Sequence, residues 1–152
     1  MAQKFLLKLR LTKQGVVKGS NGKREGDLDF SSGLECHEFQ YGVTAPYDAS
    51  SGLPTGKRQH KPITIVREVD SASPLLWQAL CTNEAFQSAT LKFNRPDSSG
   101  KPSLYHTIEL TNGAIVNIKR YTESTGRKCE ELTLSYNSVT VNGIANGVIH
   151  PT

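Results

Sequence analysis

Apolar side chains recur at every second position through most of this chain, and at helical spacing in one place only. Phe5, Leu7, Leu9 and Leu11 alternate with Lys8 and Arg10. A similar two-residue period runs through 34–43, 63–69, 88–95, 104–110, 114–118 and 130–141. Successive strand residues point to opposite faces, so segments patterned this way bury one face and wet the other. The fold class is therefore mainly β, a small antiparallel β-barrel or sandwich with one flanking helix. Either architecture buries such strands and limits exposed edges. The 13 glycines and 7 prolines suit strands joined by turns. At 152 residues the chain fits one domain, 1–152, large enough to bury a core without disulfide or metal support.

The departure from alternation lies in residues 41–80, YGVTAPYDASSGLPTGKRQHKPITIVREVDSASPLLWQAL. A long polar loop, Ala45 to Lys61, carries Pro46, Gly52, Pro54 and Gly56. Loops of this length are commonly functional or disordered, so it is the first candidate for an interaction site. A β-branched strand follows from Pro62 to Val69, which a proline can begin but not occupy centrally. A helix is then expected over about 73–83, with Ser73 as N-cap and Pro74 at the first helical position. Leu75, Leu76, Ala79 and Leu80 form its apolar stripe, with Trp77 at the border.

Elsewhere the pattern is plainer. Leu34 to Val43 reads as one strand with His37, Phe39, Tyr41 and Val43 on one face. Its other face, Leu34, Cys36, Glu38 and Gln40, turns polar toward the C-terminal end. Ala89, Leu91 and Phe93 face inward on a later strand. Thr111-Asn112-Gly113 is expected to form a tight hairpin, because Asn-Gly readily supplies positive φ, with 114–118 as the return strand. Leu132, Leu134 and Tyr136 make the last strong core face, and the tail from Asn142 is weakly patterned.

Catalytic and cofactor chemistry is not legible. Cys36, Cys81 and Cys129 have no zinc or redox spacing and read as reduced, mostly buried thiols. His37, His60, His106 and His150 are dispersed, with no paired spacing. Glu130 and Glu131 lie side by side on a strand, pointing to opposite faces, and read as solvated. Gly52 to Arg58 evokes a phosphate-binding loop but is one residue short, puts Arg58 where Ser or Thr is needed, and leads into a strand. The net charge of +4 is mild, and Lys57-Arg58-Gln59-His60-Lys61 is better explained as a solvated loop than as a nucleic-acid site. No apolar run reaches 18 residues, so no membrane insertion is expected, and Lys8 and Arg10 interrupt the N-terminal apolar run before it makes a signal peptide. The expectation is no enzyme, no cofactor and no metal.

The central stretch resembles the Hcp family, the tube protein of the bacterial type VI secretion system. The matching features are Phe39-Gln40-Tyr41-Gly42-Val43 and Pro46-x-Asp48. Then come Ser51-Gly52-x-x-Thr55-Gly56-Lys57-Arg58-x-His60-x-Pro62 and Glu68-x-Asp70-x-x-Ser73-Pro74-Leu75-Leu76. Lys18-Gly19-Ser20 and Arg24-Glu25-Gly26 agree upstream. Ala89-x-Leu91-x-Phe93 and Tyr105-x-Thr107-Ile108-x-Leu110 agree downstream. The resemblance runs from about Leu6 to Tyr136. Beyond it, Asn137 to Val141 is plainer than the aromatic-rich strand of many members.

The resemblance implies a small β-barrel with a flanking helix, assembled as a homo-hexameric ring. Such rings stack into a tube inside a contractile sheath, working with sheath and spike or baseplate proteins, and the lumen carries and chaperones small effector proteins. It implies that the protruding loop docks on a neighbouring subunit through Tyr47, Asp48, Ser51, Gly52, Thr55, Gly56, Lys57, Arg58 and His60. Glu38 and Gln40 would face the lumen, while Ser73, Pro74, Leu76 and Leu80 would hold the helix on the barrel. The chain would be cytoplasmic during assembly, then secreted without a signal peptide. The nearest alternative is a tail-tube protein of a phage or an extracellular contractile injection machine; a small hydrolase using His60 or His106 and a monomeric binding module are more distant.

Overall fold

Leu7, Leu9 and Leu11 of β1 (Phe5–Leu11) are buried and Arg10 is exposed, as a half-wet strand requires. Leu6 on the opposite face is buried too, beneath Leu28 and Phe30 in a second, smaller apolar cluster. The computed structural model describes residues 4–20, 22–25, 28–56, 59–96, 98–145 and 148–151. After β1 come β2 (Gly15–Val16), β3 (Arg24–Glu25), β4 (Leu28–Asp29), a 3₁₀ turn (Phe30–Ser32), β5 (Leu34–Cys36), β6 (Glu38–Gln40) and β7 (Val43–Thr44). Then follow β8 (Gln59–His60), β9 (Ile63–Glu68), α1 (Ser73–Cys81), β10 (Ala85–Pro96), β11 (Pro102–Thr122), β12 (Lys128–Ala145) and β13 (Val148–Pro151).

One nine-stranded antiparallel sheet carries the fold, in the order β2-β1-β10-β11-β12-β9-β6, with β13 on β12 and β5 on β1. It folds over one main core, a sandwich with one flanking helix and not a closed barrel. Leu7, Leu9, Leu34, Ile63, Ile65, Leu91, Leu110, Leu132 and Leu134 meet in that core, and Leu76 and Ala79 of α1 close it from one side.

Several elements differ from the sequence reading. The strand expected over 34–43 is broken at His37. Its first half pairs with β1 and its second with β9, and the His37 N–H donates to Val66 O at 3.0 Å across the bend. Leu34 and Cys36 are buried before the bend, whereas after it Phe39 and Tyr41 pack against the core. The polar change at Glu38 and Gln40 records this switch of faces.

Asn112-Gly113 makes no hairpin. β11 runs straight through it, pairing with β10 up to Ala114 and with β12 from His106 to Thr122. Asn112 does take positive φ, 51°, but spends it on a kink inside one long strand. A Cβ at Gly113 would lie 1.9 Å from Ser135 O and 2.5 Å from Phe86 Cζ, so glycine is needed there for close strand approach. The register then slips between Ile115 and Asn117, which leaves Val116 exposed. The weakly patterned tail includes β13, paired with the end of β12.

Candidate assembly surfaces

In the loop that follows Thr44, residues 45–56 form a hairpin extension. β7 and β8 pair Val43 with His60 and Thr44 with Gln59, and a further bridge joins Tyr47 to Pro54. Between these, Thr55 N–H donates to Pro46 O at 2.9 Å and Asp48 N–H to Leu53 O at 2.9 Å. The tip is closed by Asp48. Its carboxylate accepts from the Ser50 N–H at 3.0 Å and from the Ser50 and Ser51 hydroxyls at 2.9 and 3.2 Å. Those bonds, the Ser50 N–H foremost, hold its carboxyl below the usual range. Gly52 supplies the positive φ, 74°, that the reversal needs. The tip is not only polar: Tyr47 and Leu53 are 69% and 65% exposed. Ser51, Thr55 and Gly56 are exposed with them, whereas Lys57 and Arg58 lie outside the described residues.

An aromatic cluster anchors the hairpin at its base. Tyr41 stacks on His60 with 6.3 Å between ring centroids, and both rings meet the edge or face of Tyr136 at 6.4 Å. The Tyr41 hydroxyl and His60 Nδ1 are 2.8 Å apart, and the Tyr136 hydroxyl donates to Lys61 O at 2.8 Å. Burial first, and Tyr41 after it, raise the Tyr136 hydroxyl above its ordinary range. His60 is thus an exposed group at the base of the hairpin, stacked on a tyrosine and bonded to it. The sequence held these three residues apart, on two strands and a loop, with no spacing to connect them.

On β6, Glu38 and Gln40 are exposed and border a shallow polar groove with Phe39, Thr64, Val66, Lys119, Tyr121 and Glu131. Charges of both signs line it, and its floor is the outer face of β9 and β12.

At the start of α1 the local chemistry differs from expectation. Ala72, not Ser73, is the N-cap residue, and Pro74 sits in the first turn. Ser73 is buried, and its hydroxyl accepts from the Asp70 N–H at 3.0 Å while donating to Glu130 Oε2 at 3.0 Å. Glu130, expected on a solvated face, is fully buried. The reason is Arg67, a buried guanidinium on β9. Its Nη1 bonds Glu130 Oε2, and its Nη2 bonds Asp70 Oδ1 at 2.6 Å. Asp70 in turn accepts from Ser20 N–H and Ala72 N–H, both at 2.9 Å. Burial raises the Asp70 carboxyl, but the Arg67 bond and these N–H groups outweigh it and leave the group below its ordinary value. In the helix itself Leu76 and Ala79 are buried and Leu80 is half-buried, while Leu75 belongs to the exposed side. Trp77 is also exposed, with the Arg120 guanidinium 4.9 Å from its ring centroid.

No constellation described so far joins a nucleophile to a base. What stands out is an internally hydrogen-bonded protrusion with an apolar tip on a β body. Comparison with known proteins agrees with such a scaffold. The family model described as "Type VI secretion system effector, Hcp" matches residues 11–142. The chain is 34% identical over 128 residues to the "Major exported protein" of Pseudomonas aeruginosa, covering 80% of this chain and 73% of that one. A crystal structure of an Hcp protein superposes with a TM-score of 0.86 at 23% identity, covering 99% of both chains. The Hcp1 protein of E. coli EAEC 042 superposes at 0.81 with 26% identity, over 99% of this chain and 98% of that one. With a family match across 11–142 and a shared fold from end to end, this chain belongs to the Hcp family of the type VI secretion system.

Proposed function

We propose that this chain is the structural tube subunit of a type VI secretion system, a ring-forming protein and not an enzyme. Family membership supports this reading, and one observation carries it to particular residues: the hairpin around Tyr47–Pro54 holds two large apolar side chains out of its own domain. Exposed apolar groups on an internally bonded protrusion suit a docking element. In this reading the protein forms hexameric rings that stack head to tail. A heterologous contact of this kind closes into rings or extends into filaments according to its rotation. The hairpin docks on an adjacent subunit, within the ring or above it, and Glu38 and Gln40 face the lumen. Sheath and spike or baseplate proteins are the outer partners, and small effector proteins the cargo. The chain works in the cytoplasm during assembly and leaves the cell with the expelled tube.

Native mass measurement with negative-stain imaging of the same sample tests the ring. The expected species is near six times 16.6 kDa, seen as annuli with a central hole. A monomer at every concentration would remove the ring. Deleting Ser50–Gly56 takes away the tip but none of the core, so the variant is expected to fold with wild-type circular dichroism and fail to form tubes. Normal tubes from that deletion would sink the docking role.

A further inference from the structure

At one end of the sandwich His37 meets Glu123 and Cys129, which lie six positions apart across the β11–β12 turn. His37 sits at the bend between β5 and β6, held by its N–H bond to Val66 O. Cys129 lies in β12, opposite Tyr121 of β11 on one side and Glu68 of β9 on the other. Glu123 opens the turn between β11 and β12. Its N–H donates to Arg127 O at 2.8 Å, and Gly126, at φ 90°, donates its N–H to Glu123 O at 2.9 Å. All three ligands therefore stand on backbone fixed by sheet or turn hydrogen bonds.

Their donor atoms form a small triangle. His37 Nε2 is 3.7 Å from Glu123 Oε1, Cys129 Sγ is 3.2 Å from the same oxygen, and Sγ and Nε2 are 4.0 Å apart. A tetrahedral zinc ion with ligand bonds of about 2.0–2.3 Å has ligand-to-ligand edges of roughly 3.3–3.7 Å. The triangle is already close to one face of that tetrahedron.

We propose that His37, Glu123 and Cys129 form a binding site for a borderline-soft divalent cation of the Zn²⁺ type, with the fourth position open to water. The donor set selects it: thiolate and imidazole favour Zn²⁺, whereas Mg²⁺ and Ca²⁺ prefer all-oxygen sites. The site is reachable, because the His37 and Glu123 side chains keep 11% and 23% of their exposure. It also borders a cavity of about 460 Å³ lined by His37, Glu35, Glu68, Asp70, Lys4 and Arg127, among others. Lys4 is paired with Glu35 there, at 3.0 Å. Arg127 competes for the carboxylate, bonding Glu123 Oε2 through Nε at 3.2 Å and Oε1 through Nη2 at 3.1 Å, and the Thr125 hydroxyl lies 3.5 Å from Oε2. A cation on Oε1 displaces the second of these bonds and leaves the first. Without a metal the Cys129 thiol donates a hydrogen bond to Glu123 Oε1. On binding, the thiol loses its proton to solvent and the sulfur becomes the thiolate ligand. The bound ion ties the β11–β12 turn to the β5–β6 bend.

Cobalt titration of the reduced, untagged full chain tests the site. One Co²⁺ per chain is expected, with the intense visible bands of tetrahedral cobalt and a thiolate-to-cobalt charge-transfer band, both abolished by added Zn²⁺. Cys129→Ser is expected to remove the charge-transfer band, and Cys81→Ser, at the exposed thiol, to leave it unchanged. Glu123→Gln, which keeps the side chain's shape in the turn, and His37→Gln are each expected to weaken binding beyond the roughly 10–100-fold that loss of an outer-shell partner costs. Arg127→Gln, which removes the competitor, is expected to tighten it. Absence of tetrahedral bands at stoichiometric cobalt overturns the proposal. So does a spectrum that survives Cys129→Ser and Glu123→Gln, or one that disappears with Cys81→Ser.

Discussion

Arg67 and Glu130 are both fully buried, on neighbouring strands, and each supplies the other's counter-charge. Asp70 also holds Arg67, and Arg120 Nε lies 3.4 Å from the other Glu130 oxygen, so removing one partner leaves a buried charge with a single remaining counter-charge and costs up to about 3–5 kcal/mol. Arg67→Met is expected to lower the urea midpoint by a corresponding amount, whereas Arg67→Met with Glu130→Leu recovers most of it; equal losses in the single and double variants would show that packing, not charge, is at stake. Asp70 gives the same network a pH dependence. Its folded-state pKa lies below the unfolded value near 3.9, so the folded chain binds its proton more weakly. That contribution is fully present above about pH 4–5 and is lost as pH falls through the depressed value. The stability gap between wild type and Asp70→Asn is therefore expected to be constant from pH 7 to about 5 and to shrink below 4. A gap unchanged at pH 3 would assign Asp70 a purely steric role. None of this was legible from the sequence. Arg67 stands on a strand with Ile63, Ile65 and Val66, and Glu130 beside Glu131, and a charged residue in a strand pattern reads as solvent-facing until its partner from 63 positions away is known.

At the scale of elements, local periodicity reported faces well and connections poorly. The alternation in β1, β9 and β10 marks the buried sets Leu7/Leu9/Leu11, Ile63/Ile65 and Ala89/Leu91, because over those positions each strand keeps one face to the core, although Leu6 and Val66 on the other face are buried as well. β11 and β12 are too long for that. They cross the sandwich and change which residues they bury, from Ile108 and Leu110 to Ile115 in β11, and from Leu132 and Leu134 toward Val139 and Val141 in β12. Asn112-Gly113 sits at that change, and a positive-φ kink has the same sequence signature as a hairpin turn. Gly113→Ala is expected to disrupt the β11–β12 pairing, because Ser135 O is backbone and cannot yield as the Phe86 ring can. Insoluble expression or loss of cooperative unfolding is the expected result, and wild-type melting would mean that the strands separate without cost. Leu76→Ala, which empties the main contact of α1 with the core, is expected to cost roughly 2–5 kcal/mol in denaturant titration.

For the whole molecule, the decisive contrast lies between a body that buries its core and pairs Arg67 with Glu130 and Asp70 internally, the Arg67 Nε alone of that guanidinium lacking a partner, and a hairpin whose apolar tip is unburied. Tyr47 and Leu53 reach into solvent while the backbone beneath them is bonded to itself, so little conformational entropy remains to be lost when the tip docks. Burying each side chain on a neighbour is worth at most about 1.5–3 kcal/mol, and a ring repeats that contact once per subunit. Such a contact is apolar and differs from ion pairing in its response to conditions. Salt within a few hundred millimolar screens charge pairs but not apolar burial, and cooling weakens the latter. If the tip carries the docking proposed above, stacking of purified rings is expected to persist through 0.1–0.5 M NaCl and to loosen on cooling, about the Debye screening range in which surface ion pairs fade. Tyr47→Ser with Leu53→Ser is expected to abolish stacking while leaving the monomer's melting temperature unchanged. Light scattering against salt and temperature reads both. Stacks that dissolve steeply with salt and survive the double substitution would move the docking energy from the apolar tip to the charged groups around it.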